Sequence, residues 1–246
     1  MNIIISPAKK MNICNNDLTH KTIPALLNKT SIIYSTLKAL SYDELKVLLS
    51  CNSDIARLNY ERYLNMDIMK NLTPAILAYE GIQYKYMSPN IFTTEQFKYV
   101  EKHLKILSGF YGILNAFDGV VPYRLEMQAK LKLQNSNNLY DFWGNTIYNE
   151  LIKTDNTILN LASKEYSKVI EKYLKPEDNY ITCIFGSLKD SKIKVKATEA
   201  KMARGLMVRY MSEHNITDIE KIKDFSELSF SYSKSHSTTN KFVFLK

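Results

Sequence analysis

The first ten residues, Met1-Asn-Ile-Ile-Ile-Ser-Pro-Ala-Lys-Lys10, place a short apolar run directly before a Ser-Pro break. The isoleucines after Asn2 predict a buried strand over Asn2–Ile5, because β-branched side chains pack well in a sheet covered on both faces. The loop that follows places one hydroxyl, on Ser6, and two amines at the carboxyl end of the strand. Ligands often bind there in α/β proteins. Taken alone, the loop is more simply interpreted as a plain exit from the strand.

Helix and strand patterns alternate along the rest of the chain, and two of the helices begin at capping boxes, Ser41-x-x-Glu44 and Thr93-x-x-Gln96. The predicted helices are Ser41–Leu49, Asp54–Leu64, Thr93 to about Leu107, Tyr140–Lys153, Ser163–Leu174 and one from about Thr198. The predicted strands are Pro74–Tyr79, Thr157–Leu161, a hairpin of Tyr180–Phe185 with Lys192–Lys196, and a pair of Ser229–Tyr232 with Phe242–Leu245. Long linkers, internal repeats and low-complexity tracts are absent. We therefore expect an α+β fold, a single mixed α/β domain over residues 1–246.

Charge and cysteine usage limit the classes of function. A net charge of +8 permits a polyanionic partner, and residues 189–209 hold seven cations against two acids. The three cysteines and four histidines lack the spacing of a zinc site or a disulfide framework, so we expect no metal, no cofactor and a reducing compartment. The N-terminal apolar run is too short for a signal peptide, and no stretch approaches the ~20 apolar residues of a membrane span. These features predict a cytoplasmic protein without a membrane partner.

The stretch Lys201-Met-Ala-Arg-Gly-Leu-Met-Val-Arg-Tyr210 contains two of the five arginines in a chain that uses 28 lysines. An arginine in such a lysine-rich chain indicates a need for the forked guanidinium, which grips phosphate or carboxylate through two parallel hydrogen bonds. A helical projection predicts that Lys201, Arg204, Gly205 and Arg209 lie on one side. Two interpretations stay open, a solvated basic face and an anion-binding site.

Three further groups of residues are candidates for a site. Gly109 and Gly112, three apart, could expose backbone N–H groups to a phosphate or could form a tight turn. In an extended segment Arg124 and Glu126 share one face, either as a structural ion pair or as a cation beside a general base. The third group lies at the junction of a predicted strand and a predicted helix and consists of Asn160, Ser163 and Tyr166, with Ser163 as a natural N-cap.

Together these segments resemble the YaaA family of bacterial peroxide-stress proteins. The matching segments occur in the family's order along the chain: Ile4–Lys9, Leu107–Leu114, Pro122–Met127, Phe142–Gly144, Asn160–Ser163 with Glu165-Tyr166, and Ala203–Met207 with Arg209, plus a weaker Asn59-x-x-Arg62. The resemblance implies a cytosolic protein of the hydrogen peroxide response that lowers unincorporated intracellular iron. It also implies a positively charged cleft and binding of double-stranded DNA through a helix-hairpin-helix-like element, for which His103–Leu114 is the best candidate in this sequence.

Two classes of mechanism are open: the resemblance implies the first, which we expect, and the mix of hydroxyl, phenol and carboxylate side chains beside the cations suggests the second. In the first, the protein binds duplex DNA without strong sequence preference, through phosphate contacts from Lys9, Gly109, Gly112, Arg124, Lys201, Arg204 and Arg209. In the second, the protein is an enzyme of unassigned reaction on a small anionic or nucleoside-like ligand. Its catalytic candidates are then Glu126, Tyr123 and Ser163, and its pocket is lined by Ser6, Tyr111, Asn160 and Tyr166. Direct sequestration of iron is disfavoured, because Cys and His lack ligand spacing. Convergence of these side chains in one pocket would favour the small ligand, and an open groove would favour DNA.

Overall fold

A mixed β-sheet forms the centre of the computed structural model, which describes residues 1–13 and 18–246. Cys14, one of the three cysteines of the sequence, lies outside these ranges. The strands, in chain order, are β1 Asn2–Ile5, β2 Lys10–Met11, β3 Thr73–Pro74, β4 Tyr79–Glu80, β5 Leu104–Ser108, β6 Gly112–Asn115, β7 Gly119–Val120, β8 Thr157–Asn160, β9 Asn179–Lys189, β10 Lys192–Lys194, β11 Ser231–Tyr232 and β12 Lys241–Leu245.

Helices cover the sheet and line its carboxyl edge. The α-helices are α1 Leu27–Ala39, α2 Tyr42–Leu49, α3 Ser53–Asn65, α4 Ala75–Ala78, α5 Ile82–Met87, α6 Thr94–His103, α7 Leu139–Trp143, α8 Thr146–Leu151, α9 Lys164–Glu171 and α10 Ala197–Glu213. Four 3₁₀ helices cover Pro89–Ile91, Ile219–Asp224, Glu227–Ser229 and Lys234–His236. One core cluster of buried apolar residues contains side chains from every α-helix and from the strands β1, β5, β6, β8, β9 and β12, so the chain forms a single mixed α/β domain. Among residues 1–13 and 18–246, no helix is both long and apolar enough to cross a membrane.

The order of the strands creates a switch point beside β1. The sheet runs β11-β12-β9-β8-β1-β5-β6, and the five strands from β12 to β5 are parallel. The chain leaves β1 towards β5 on one side and later returns on the other side through β8, from which it continues outward to β9. In open α/β sheets, ligands bind outside the carboxyl ends of the strands where the direction of winding reverses. In this fold that crevice lies between the ends of β1 and β8.

Most of the predicted elements are confirmed, with shifted ends. Both capping boxes form, so that Ser41 and Thr93 accept hydrogen bonds from the backbone three residues later. Pro74–Tyr79 is not a strand, since its four central residues form the helix α4. The helix predicted over Tyr140–Lys153 is divided into α7 and α8 at Gly144, whose φ of +51° is in the left-handed region.

The helix-hairpin-helix prediction for His103–Leu114 is wrong, because this segment forms a β-hairpin. Helix α6 ends at His103, and β5 pairs antiparallel with β6 around the turn Gly109–Tyr111. The turn is buried, and the N–H groups of Phe110 and Tyr111 both donate to Ser108 Oγ, at 3.1 and 2.8 Å. An internal hydroxyl therefore occupies the donors that were predicted to bind phosphate.

Close packing of α10 on α5 completes the carboxyl edge of the sheet. Gly205 lies at the crossing, where a Cβ atom would be 2.1 Å from Gln83 O and 2.9 Å from Met87 N. A side chain at this position would separate the helices, so glycine is required by their approach. Gly205 therefore serves helix packing, and the neighbouring Arg204 is held beside the switch point.

Candidate functional site

A cavity of about 370 Å³ lies at the switch point, outside the carboxyl ends of β1 and β8. The loop after β1, the start of α9, helix α5 and helix α10 contribute its walls. We call it the switch-point cavity, and its principal polar residues are Ser6, Lys9, Gln83, Ser163, Lys201 and Arg204. Five of these six residues, all but Gln83, were predicted from the sequence as candidate site residues. They come from distant segments of the chain and converge in one recess.

Ser6 and Ser163 join the two strand ends at the floor of this cavity. The Ser163 N–H donates to Ser6 Oγ at 2.8 Å, and the Ser6 hydroxyl lies 3.2 Å from Ser163 Oγ. Ser163 occupies the N-cap position of α9, yet its side chain accepts no capping bond from residues that the structure describes. The first N–H groups of a helix lack intrahelical partners and carry partial positive charge. The cavity thus combines two hydroxyls with the positive end of α9.

Buried donors without acceptors are concentrated around the same cavity. Among the side chains that the structure describes, three buried polar atoms lack a hydrogen-bond partner: Gln83 Nε2, Arg124 Nε and Arg204 Nε. Gln83 and Arg204 line the cavity, and Arg124 contacts its wall residue Glu126. An unsatisfied buried donor costs about 1–3 kcal/mol, and more when the group is charged. Because all three atoms are donors, the group that would satisfy them is an acceptor, and an anion would do so best.

Both signs of charge line the cavity, so the positive cleft implied by the resemblance is not uniformly positive in these residues. Glu126 accepts from Lys9 Nζ at 2.8 Å and from an Arg124 amine at 3.2 Å, and Lys10 pairs with Glu80 at 2.7 Å. In the described part of the chain, neither Lys201 nor Arg204 joins an ion pair. The cations without a counter-charge are therefore at the α10 side of the cavity.

Burial changes the protonation equilibria of three lining residues. It lowers the pKa of Arg204 from its ordinary value, although a guanidinium stays protonated in proteins. Burial, reinforced by the nearby charge of Glu126, raises the pKa of Glu165. The pKa of Tyr166 is raised well above its ordinary value, mainly by burial. The cavity therefore holds a desolvated, unpaired cation beside a carboxyl group that protonates more readily than a free glutamate.

Two predicted tyrosines lie in the core and not at this cavity. Tyr111 is fully buried, and its hydroxyl accepts from the Val121 N–H at 3.2 Å. The Tyr123 hydroxyl lies between Tyr79 OH at 2.8 Å and Ser108 Oγ at 2.6 Å, and burial raises its pKa to about 12. Tyr111 therefore does not line the cavity, and the hydrogen bonds of Tyr123 hold it as part of the packed core.

The remaining predicted residues also separate from the cavity. Gly109 and Gly112 belong to the buried hairpin, and a Cβ at Gly109 would lie 2.6 Å from Leu125 O. Arg209 lies five residues after Arg204 and pairs with Glu213 at 2.7 Å along the outside of α10. Its guanidinium is therefore engaged on its own helix, and Arg204 alone of the two arginines reaches the cavity.

Asn160 lines a separate cavity of about 460 Å³, which also reaches Arg204. We call it the second cavity, and its polar residues include Asn160, Thr182, Asn240 and Lys241. Asn160 Oδ1 accepts from the Ala162 N–H at 2.9 Å and so shapes the exit from β8. The predicted pocket-lining residue thus belongs to a cavity adjoining the one that holds Ser6 and Tyr166.

Sequence reasoning missed the contribution of α5 and part of the charged wall. Gln83 follows Gly81, one of only seven glycines in the chain, and that scarcity was the available signal. Glu165 falls inside a segment that resembles the family, but only the fold reveals that it faces Glu126. Within residues 1–13 and 18–246, no group of three or more His, Cys, Asp or Glu side chains is arranged to hold a metal ion.

Comparison with known proteins assigns the chain to a family. A family model described as peroxide stress protein YaaA matches residues 1–236. A UPF0246 protein of Desulfitobacterium hafniense is 57% identical over 246 residues, which cover 100% of this chain and 98% of the relative. UPF0246 proteins of Ligilactobacillus salivarius and Pediococcus pentosaceus are 49% and 48% identical, covering 100% of this chain and 100% and 98% of the relatives. The chain therefore belongs to the YaaA family of peroxide stress proteins.

Proposed function

We propose that this protein acts in the cytoplasmic peroxide stress response by binding a small anionic ligand, a phosphate ester or a carboxylate, in the switch-point cavity. The observation that carries the proposal is that Gln83 and Arg204 line one recess and that each side chain has a buried donor without an acceptor. Arg204 is half-buried, so its guanidinium is partly desolvated, and a ligand anion at this position would supply a counter-charge. The hydroxyl of Ser163, which accepts from Ser6, and the start of α9 add further donors for the same anion.

The size of the cavity favours a small molecule over a duplex. A volume of about 370 Å³ is in the range of pockets for small ligands. A duplex, whose major groove alone is about 12 Å wide, is too large to be enclosed by a recess of this volume. The convergence of Lys9, Glu126, Ser163 and Arg204 thus favours the second of the two mechanisms considered for the sequence.

Phosphate binding by Arg204 variants tests the proposal, with Arg209 as a matched control on the same helix. Isothermal titration with inorganic phosphate is expected to give at least about tenfold weaker binding for Arg204→Ala, since a charge-assisted hydrogen bond contributes about 1.5–3 kcal/mol. Arg204→Lys should recover only part of the affinity, because an ammonium lacks the two-pronged geometry. Arg209→Ala should bind like the wild type, since Arg209 pairs with Glu213 outside the cavity. Equal affinity of all four proteins would refute the proposal.

The consequence in the cell is a smaller pool of unincorporated iron during peroxide stress. A strain that lacks its own copy of the gene can be complemented with wild type, Arg204→Ala or Arg209→Ala. Spin-resonance measurement of chelated ferric iron in whole cells, together with survival after peroxide, would report the effect. We expect Arg204→Ala to behave like the empty vector and Arg209→Ala like the wild type. Full complementation by Arg204→Ala would separate the stress function from the cavity.

Binding of double-stranded DNA is a second candidate, supported by a basic surface outside the cavity. The β9–β10 hairpin presents four exposed lysines, Lys189, Lys192, Lys194 and Lys196, around a two-residue turn. Its acid Asp190 lies 3.9 Å from Lys194, and Lys196 pairs with Glu199 at 3.2 Å. Such a surface would bind phosphates without reading sequence.

Duplex binding and ligand binding can be separated by variants. Duplex affinity can be measured by fluorescence anisotropy at several salt concentrations. The double variant Lys192→Ala with Lys194→Ala is expected to bind the duplex more weakly, and the slope of log K against log[salt] should fall by the equivalent of about two phosphate contacts. Arg204→Ala should leave duplex binding unchanged, because the cavity is too small for a duplex. Loss of duplex binding in Arg204→Ala alone would place the DNA at the cavity and contradict this division.

A reaction on the bound ligand would rely on Glu126, the candidate base at the cavity wall. Its carboxylate is held by Lys9 and Arg124, so Glu126→Gln removes the charge and keeps the shape of the side chain. For a catalytic role, we expect Glu126→Gln to retain phosphate binding and lose peroxide protection. Retention of both would exclude Glu126 as an essential base.

A further inference from the structure

The second cavity adjoins the switch-point cavity and shares one residue with it. Arg204 lines both cavities, and the exit from β8 divides them, with Ala162 facing the second cavity and Ser163 the first. A ligand whose anionic group binds at Arg204 can therefore extend into either cavity. At about 460 Å³, the second cavity has room for more than an inorganic anion.

Side-chain amides and a hydroxyl form the polar part of the second cavity. Asn160 Nδ2 donates to Thr182 Oγ1 at 3.3 Å, and the Thr182 hydroxyl is also hydrogen-bonded to the Tyr180 side chain, so Thr182 offers a ligand the remaining acceptor site of its oxygen. Asn240 Oδ1 accepts from the Thr238 hydroxyl at 2.8 Å, so that its amide N–H groups remain to donate. Groups that donate and accept side by side match sugar hydroxyls, which also do both.

The charges of the second cavity are again biased towards cations. Glu171 is already engaged by Lys164 and by the hydroxyls of Ser167 and Tyr180. Within residues 1–13 and 18–246, Lys241 and Arg204 take part in no ion pair. An uncharged sugar would leave these cations without partners, whereas a phosphorylated one would supply the acceptor.

Apolar residues also line the second cavity. Ile184, Phe185 and Val195 line the second cavity, and they offer a surface for the apolar face of a sugar ring or for a base. Phe185 is buried, while Val195 is exposed at the mouth. A recess that combines apolar lining residues with a few convergent polar groups is typical of sites for small ligands.

We propose that the second cavity binds the sugar of a phosphorylated sugar or nucleotide whose phosphate lies at Arg204. This inference rests on the proposed function, because it requires that Arg204 bind an anion. It adds that the ligand's hydroxyl groups are recognised by Thr182 and Asn240, outside the switch-point cavity.

Isothermal titration with inorganic phosphate, ribose and ribose 5-phosphate tests the inference on the full-length protein. We expect ribose 5-phosphate to bind at least about tenfold more tightly than inorganic phosphate, because one or two additional hydrogen bonds to the sugar increase the affinity by about that factor. Thr182→Val keeps the shape of the side chain and removes its hydroxyl, so it should reduce this advantage several-fold while phosphate affinity is unchanged. Asn240→Ala, at an exposed position, provides a second variant with the same expected outcome if Thr182→Val does not fold. Thr157→Val, at the far end of β8, is the matched control and should behave like the wild type.

Each failure has a separate meaning. If inorganic phosphate does not bind, the proposed function itself fails. If phosphate binds but ribose 5-phosphate has no advantage over it, or if Thr182→Val weakens both equally, only the sugar site is refuted. If ribose 5-phosphate does bind more tightly than inorganic phosphate, adenosine 5′-monophosphate distinguishes a nucleotide ligand from a sugar phosphate. Tighter binding of adenosine 5′-monophosphate than of ribose 5-phosphate indicates a nucleotide, and equal binding indicates a sugar phosphate.

Discussion

Replacing Gly205 by alanine tests how closely α5 and α10 approach. A Cβ at Gly205 would be 2.1 Å from Gln83 O, compared with about 3.4 Å for an ordinary contact. The obstructing atom is backbone, so the helices must shift by about 1.3 Å to admit the methyl group. Overpacking of this kind costs about 1–3 kcal/mol, and the short distance indicates the upper end. Alanine is itself about 1 kcal/mol more favourable than glycine inside a helix, which leaves a net loss of about 2 kcal/mol.

Thermal and denaturant unfolding measure this loss directly. For a chain of this length, about 2 kcal/mol corresponds to a decrease in Tm of about 4–8 °C. Since α5 carries Gln83 and α10 carries Arg204, the same shift should also weaken phosphate binding. Arg209→Ala, an exposed change on the same helix, should lower stability by only about 0.5 kcal/mol. A Gly205→Ala protein as stable as the wild type, or more stable, would show that the helices do not approach as described.

Three further predictions concern stability. Ser41→Ala removes the cap of α2 and should lower the free energy of unfolding by about 1 kcal/mol in denaturant titrations; no change would mean that the cap is dispensable. Tyr123→Phe leaves Tyr79 and Ser108 without a shared hydroxyl partner in the core and should cost about 1–3 kcal/mol by the same assay; a neutral result would imply that another group replaces it. Burial raises the pKa of Glu165 in the folded protein above its value of about 4.5 in the unfolded chain. The contribution of Glu165 to the free energy of unfolding is therefore fully present below pH 4.5 and is lost as the pH rises through the pKa of the folded state. Glu165→Gln should therefore gain stability relative to the wild type from pH 4 to pH 7, and a pH-independent difference would refute that shift.

Local signals in the sequence predicted the elements that are set by local chemistry. Ser41 and Thr93 form capping boxes that are visible at a spacing of three residues, and both helices begin there. The apolar run in Ala75–Ala78 failed as a signal, because all four side chains are buried and a short buried run has no periodicity to distinguish helix from strand. The helix predicted from Thr93 to about Leu107 is too long for a similar reason: the buried strand Leu104–Ser108 follows His103 without a polar break that would mark the end of α6.

The candidate site is formed by contacts between segments that are distant in the sequence. Individual site residues could therefore be predicted, but their arrangement could not. Local chemistry, together with the resemblance to the family, indicated Ser6, Ser163 and Arg204. Ser6 and Ser163 are 157 residues apart, however, and meet only because β8 pairs with β1. Helix geometry alone could not separate Arg204 from Arg209, because their distinction comes from the packing of Gly205 on α5. The prediction that Tyr111 lines the pocket was wrong, because the composition of a turn rich in glycine and aromatic residues does not show whether the turn lies in the core or at the surface.

The position of a bound oxyanion is the most direct test of the switch-point cavity. Crystals grown or soaked with tungstate would locate the anion by anomalous scattering, independently of any assumption about the natural ligand. We predict an ordered tungstate whose oxygens lie within hydrogen-bonding distance of the Arg204 guanidinium and the Gln83 amide, beside the hydroxyls of Ser6 and Ser163. Tungstate ordered only on the lysines of the β9–β10 hairpin, with none at Arg204, would contradict the assignment of the cavity as an anion site.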